Sequence, residues 1–116
     1  MAGTMTFPDI TTQLANVGVE RYHADYSRSE ATYYLASGES LVVPLGHPPH
    51  AIGVEFQRAA INAAIRQSQR NEHRYVDFLS KTMAAGCVAY FVQIAGRQAI
   101  YFGRNGESHV EPFPSR

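Results

Sequence analysis

Tryptophan is absent from this chain and cysteine occurs once. A single thiol excludes an internal disulfide framework, so a reducing compartment, the cytoplasm, is the expected setting. Charge of one sign is also missing, because ten basic and ten acidic residues cancel. That argues against nucleic-acid binding, where phosphate neutralisation by Lys and Arg supplies much of the affinity. No apolar run approaches the roughly 20 residues of a membrane-spanning helix. The N-terminus has neither the charged nor the apolar region of a signal peptide. No nucleic-acid partner, no membrane and no cofactor is expected from these features. What remains is a chain of 116 residues, 45% apolar and 17% charged. That is the composition and size of one globular domain, taken here as residues 1–116.

The sequence is organised around a stretch it writes twice. Gly38-Glu39-Ser40-Leu41-Val42-Val43-Pro44 returns as Gly106-Glu107-Ser108-His109-Val110-Glu111-Pro112, 68 positions later (106 − 38). The same offset, without a gap, pairs Tyr33 with Tyr101, Tyr22 with Tyr90, Gly18 with Gly86 and Asp9 with Asp77. It reads as an internal duplication, with halves at about 7–45 and 75–113 joined by a linking loop and helix at about 46–74. Each half is about 40 residues, too small to bury a core alone, so the two must fold as one unit.

Within each half the period of the apolar residues changes from helical to strand-like. Thr6 reads as an N-cap with Pro8 in the first turn and Asp9 three residues on. Ile10, Leu14 and Val17 fall on one stripe of a helix over about 7–17, and Gly18 is its C-terminal cap. From Val19 the spacing becomes two, with Tyr22, Ala24 and Tyr26 facing one way and Arg21, His23 and Asp25 the other. Polar turns at Ser27–Glu30 and Ala36–Gly38 separate strands over about 19–26, 31–35 and 39–45. The second half repeats this with a helix over about 75–85 and strands at about 87–94, 98–103 and 107–113. Gly38 and Gly106 are expected at positive φ. The fold class predicted is α+β, two helix-plus-three-stranded antiparallel meander units (α-β-β-β) with a linking helix. That helix is expected over about Ile52–Gln69, after a loop that His47-Pro48-Pro49-His50 keeps extended. Its apolar arc of Phe56, Ala59, Ala60, Ile61, Ala63, Ala64 and Ile65 is expected to be buried against the sheet, with homodimerisation as the alternative if part of it stays exposed.

The layout of helix, Gly-Val-x-x-Tyr strand, Tyr-Tyr or Tyr-Phe strand and Gly-Glu-Ser-x-Val-x-Pro resembles the small YdfO/YbcV-like proteins. These are bacterial and prophage-associated, and some are labelled phage envelope protein. The resemblance covers about residues 7–113. It implies an α+β fold of two α-β-β-β halves with no established activity, and it carries across no catalytic or ligand-binding residues.

Four tyrosines are the leading site candidates: Tyr22 and Tyr33 in one half, Tyr90 and Tyr101 in the other. Paired phenols about a pseudo-dyad can cradle a small planar ligand, although core packing alone also accounts for such rings. Glu107, His109 and Glu111 alternate along the last strand and would project from one face. Two carboxylates flanking an imidazole can bind a transition metal or move a proton, while a solvated strand face is the plainer reading. Cys87 pairs with Val19 in the repeat and is expected to be a buried, inert thiol. His23 pairs with Phe91, which favours packing; His73 is expected to be exposed, and His47 and His50 to lie on a surface loop.

Three functions remain open from these residues. The first is a non-enzymatic cytoplasmic interaction or small-ligand-binding protein. The second is a metal-dependent or acid–base enzyme using Glu107, His109 and Glu111. The third is a homodimeric structural part of a prophage-encoded assembly.

Overall fold

A computed structural model describes residues 7–46 and 51–113, in the order α1 (Phe7–Asn16), β1 (Val19–Asp25), β2 (Glu30–Leu35), β3 (Ser40–Pro44), α2 (Arg58–Gln69), α3 (Tyr75–Ala84), β4 (Cys87–Gln93), β5 (Gln98–Gly103) and β6 (Ser108–Pro112). The six strands form one antiparallel sheet in the order β3-β2-β1-β4-β5-β6. The α+β fold, the two meanders and the linking helix are as the sequence predicts. The Thr6 cap and the His47–His50 loop lie outside the described residues.

Positions 68 apart take matching places. Tyr22 lies opposite Tyr33 and Tyr90 opposite Tyr101. Both first strands of the meanders carry an irregularity at the same point, Val19/Arg21 and Cys87/Ala89. Gly38 and Gly106 have φ of 98° and 86°, and the turn residues Ser29 and Arg97 have φ of 55° and 56°. The meanders join through β1 and β4, with His23 opposite Phe91, so neither half has a sheet of its own.

The helices lie over one face of this sheet. Two rows of side chains run across that face under them. One row is Leu41–Tyr33–Tyr22–Val92–Ala99–Glu111 and the other Val43–Ala31–Ala24–Tyr90–Tyr101–His109. The core sits between the middle of these rows and Ile61, Ala64 and Ile65 of α2 with Phe78, Leu79 and Met83 of α3. Thr82, fully buried, donates to its own helix at Phe78 O and so accepts from the Tyr26 hydroxyl at 2.7 Å. This buried pair is therefore satisfied, as burial demands.

Two helix expectations need correction. Residues 52–57 are not helical, and α2 begins at Arg58. The cause is a backbone-to-backbone contact with the end of α3: Gly53 N–H donates to Met83 O and Gln57 N–H to Ala85 O, each at 2.8 Å. A Cβ on Gly86 would fall 2.1 Å from Glu55 O, and one on Gly53 2.4 Å from Ala84 O. Amides committed to a neighbouring helix cannot also start one, and only glycine allows the approach. Consequently the expected burial of the whole apolar arc fails: Ile61, Ala64 and Ile65 are buried, Phe56 is half-buried off the helix, and Ala59, Ala60 and Ala63 are exposed. The predicted α1 stripe fails as well. Ile10 is exposed and Val17 is 68% exposed, while Thr11 is buried and Leu14 packs at the core edge. α1 rests on β1 through the side that carries Thr11 and Leu14.

Candidate ligand cavity

Between the sheet and the three helices lies a cavity of about 620 Å³. Its floor is the second half of the two rows: Val92, Ala99, Tyr90 and Tyr101, with Tyr22 reaching in from β1. Ile65 of α2, Phe78 of α3 and Ile10 of α1 form apolar walls, and the α2–α3 connection forms a polar mouth. Volume and lining fall in the range of small-molecule sites, apolar in the main with a few convergent polar groups.

The tyrosines occupy this site because strand alternation puts them there. Tyr22, Tyr90 and Tyr101 are buried on the helix-facing side of the sheet. The pairs Tyr22–Tyr33 and Tyr90–Tyr101 have ring centroids 5.0 and 5.2 Å apart and interplanar angles of 31° and 34°. An edge contact of 6.3 Å between Tyr22 and Tyr90 links the pairs. Phe78 stands at 6.2 Å from each of Tyr75, Tyr90 and Tyr101. Such tilted and edge-on contacts are the arrangements aromatic rings favour. The Tyr75 and Tyr90 hydroxyls share a hydrogen bond of 2.5 Å. Burial pushes the phenols of Tyr22, Tyr90 and Tyr101 well up, and that of Tyr75 up to about 12. All four are neutral near pH 7 and act as hydrogen-bonding apolar bodies, not as bases.

Of the four tyrosines expected from the sequence, Tyr22, Tyr90 and Tyr101 line the cavity. Tyr33 does not; it stacks on Tyr22 from the far side. Glu107, His109 and Glu111 are not gathered as the alternation suggested. Glu107 precedes β6 and turns its carboxylate into its own hairpin, accepting from Asn105 N–H at 2.9 Å. Backbone N–H groups hold its acid constant low. His109 and Glu111 do stand together, with Nε2 3.6 Å from Oε1, too far for a hydrogen bond. Glu111 instead accepts from Arg66 of α2 at 2.7 Å and shows an edge to the cavity. Among the described residues no group of three His, Cys, Asp or Glu side chains is close enough to hold a metal ion. Cys87 is fully buried and its thiol is pushed up to about 11 by that burial, the state of an inert core cysteine.

The mouth holds residues the sequence did not mark as site candidates. His73, expected to be exposed, is partly buried and uses both ring nitrogens. Lys81 Nζ donates to Nδ1 at 3.0 Å, which leaves Nε2–H to donate to Ser68 Oγ at 2.8 Å. Burial, then the Lys81 charge, lowers its acid constant, consistent with that neutral tautomer. Beside it Asp77 accepts from the Arg74 backbone N–H at 3.0 Å and from the guanidinium, so α3 begins capped. Residues 67–74 are a polar and charged stretch ahead of α3, and nothing in their spacing says that they close a cavity.

The family described as "Protein of unknown function (DUF1398)" matches residues 4–111. The chain belongs to this family. The DUF1398 match thus covers all three helices and the strands as far as Glu111, and brings no assigned activity. No curated protein matches the chain at a significant level. No helix among the described residues of this DUF1398 protein is long and apolar enough to cross a membrane.

Proposed function

We propose that this protein binds a small, compact, partly aromatic molecule in the cavity between α1, α2, α3 and the sheet. One observation carries the reading: about 620 Å³ of space is lined by buried phenol rings and rimmed by polar groups. A core built for stability alone closes such space, since interiors pack to crystal-like density. The neutral phenols supply faces for stacking, while Glu111, Ser68 and the Arg74–Asp77 pair supply hydrogen-bonding edges at the mouth. The elevated phenol and thiol acid constants make recognition, not proton transfer, the better account of this site. An acid–base enzyme using His109 and Glu111 has less support, because Glu107 is occupied in its turn and Glu111 is held by Arg66. Action in the cytoplasm belongs to the same proposal and rests on the lone buried Cys87. The YdfO/YbcV kinship and its prophage setting add no residue to it.

Calorimetric titration with phenol, the simplest ring of this chemistry, tests the reading. Saturable binding is expected, and Ala99→Phe, which places a ring on the cavity floor, should abolish it. If Ala99→Phe fails to unfold cooperatively, Ser68→Trp obstructs the mouth from a partly exposed position and serves instead. Binding that survives both obstructions, or no saturable heat with the parent protein, overturns the proposal.

A further inference from the structure

Among the described residues the second face of the sheet has no helix on it, and none of its strand residues is buried. Its middle row is Val42–Thr32–His23–Phe91–Ile100–Val110, one side chain from each strand. At a strand spacing of about 4.8 Å this row, apolar except at Thr32 and His23, is about 24 Å long. Its centre is preformed: His23 and Phe91 stack at 4.4 Å, and Phe102 meets the edge of Phe91 at 6.4 Å. Its ends are open, with Val42 53% and Val110 48% exposed. Apolar side chains grouped on an open sheet face, as Phe91, Ile100, Phe102 and Val110 are here, point to an interface.

The charges flanking the band select its occupant. Arg21 lies two residues to one side of His23 on β1, over the Tyr34 ring at 4.3 Å. Asp25 lies two residues to the other side, next to Glu30 on β2. Glu20 pairs with Arg21 and Arg28 with Glu30 within the chain. The Asp25 carboxylate accepts from the backbone N–H groups of Ser27 and Arg28, and no ion pair to it occurs among the described residues. Two copies facing each other about a twofold axis along the middle row would lay each strand antiparallel over its own duplicate. Arg21 of each copy then stands over Asp25 of the other, twice. An axis along the strands would instead set Arg21 over Gln93 and Asp25 over Ala89, with no charge paired.

We propose that the open face is a self-association surface, on which two copies pack sheet to sheet about that axis with Arg21–Asp25 pairs closing both sides. Aligned face-to-face packing is an ordinary solution for antiparallel sheets, and an isologous contact is the commonest kind in homo-oligomers. The proposal is independent of the cavity, which opens on the other side of the sheet.

Sedimentation equilibrium of the intact protein tests it. A concentration-dependent dimer is expected. Val42→Asp with Val110→Asp, at positions already exposed, should leave a folded monomer. Arg21→Asp should weaken association by about tenfold or more, since close charge pairs at interfaces carry coupling of that size. Arg21→Asp combined with Asp25→Arg should restore it, an outcome that mere damage to the fold cannot produce. A parent protein that is monomeric throughout, or a dimer indifferent to the two valine changes, overturns the surface. A dimer that the charge swap fails to restore overturns the axis.

Discussion

In one half of the molecule α2 runs beside β6, with Arg58 donating to Ser108 O and Arg66 to Glu111. In the other half nothing lies in the corresponding place over β3 among the described residues. The side chains there run opposite to habit. Leu41 and Val43 are 61% and 36% exposed, while their counterparts 68 positions on, His109 and Glu111, are partly covered. The repeated meander supplies the tyrosine floor twice, and the unrepeated α2 with the α2–α3 connection supplies walls once. The cavity therefore lies over β4–β6, with Tyr22 of β1 and Ile10 of α1 reaching into it from the other half. The site arises where the two halves stop matching, and polar residues are used where a helix must be held at its edge.

The largest expected contrast is between the matched rings. Tyr101→Ala removes a buried side chain and should cost about 3–5 kcal/mol, whereas Tyr33→Ala, at a half-buried position, should cost less than half of that. Thermal or denaturant unfolding of the two variants measures the difference; equal losses would mean that the first half is as well covered as the second.

Next come the matched glycines. Both have positive φ, 91° at Gly18 and 89° at Gly86, but a Cβ at Gly18 meets nothing within 4 Å while one at Gly86 strikes Glu55 O. Gly18→Ala should cost about 1–2 kcal/mol from backbone strain alone. Gly86→Ala should cost about 3 kcal/mol or more, since the 52–57 segment must also move. Equal melting temperatures would contradict the contact that delays the start of α2.

A smaller effect separates the third strands. Val43→Glu, already exposed, should change stability by no more than about 0.5 kcal/mol. Glu111→Ala should cost about 1 kcal/mol, the modest worth of a pair in which Arg66 remains partly exposed. Ala60→Glu with Ala63→Glu on the exposed side of α2 should likewise leave the protein folded, where the burial expected from sequence would have it unfold.

The titration behaviour divides the molecule least. Tyr22, Tyr26, Tyr75, Tyr90 and Tyr101 have folded acid constants raised above the unfolded value of about 10. Their contribution is complete below pH about 10 and is lost as pH rises, through about 12 for Tyr75. Ultraviolet titration should show these phenols ionising only as the fold is lost. At the other end, the lowered constant of His73 means stability is full above pH about 6.5 and declines as pH falls through the folded value. That decline should be slight and should disappear in His73→Gln; a decline that persists unchanged would assign it to other groups.

The strands, the turns and three of the four tyrosine positions were legible because they depend on alternation and on local glycine conformation, both printed in the spacing. Ile52–Gln57 misled because its apolar residues fit a helical period while its amides are spent on α3, a contact no window of the sequence reveals. The walls from Ile65, Ser68, His73 and Tyr75 were not legible for the same reason: they join the site only after α2 turns into α3. Exposure on β3 and β6 went unread because it is decided by where α2 lies and not by the residues themselves. Leu41 looks like core and Glu111 like surface until that helix is in place.

The central claim is that a ligand site lies over β4–β6, with Tyr22 at its edge, and has no counterpart over β3. An NMR titration with phenol, following the tyrosine rings and the methyl groups, tests it most directly. Saturable shifts are predicted for Tyr22, Tyr90, Tyr101, Val92 and Ile65, with Leu41, Val43 and the valines of the open face unmoved. Shifts of equal size at Leu41 and Val43, or shifts confined to Phe91, Ile100 and Val110 on the opposite face, would contradict it.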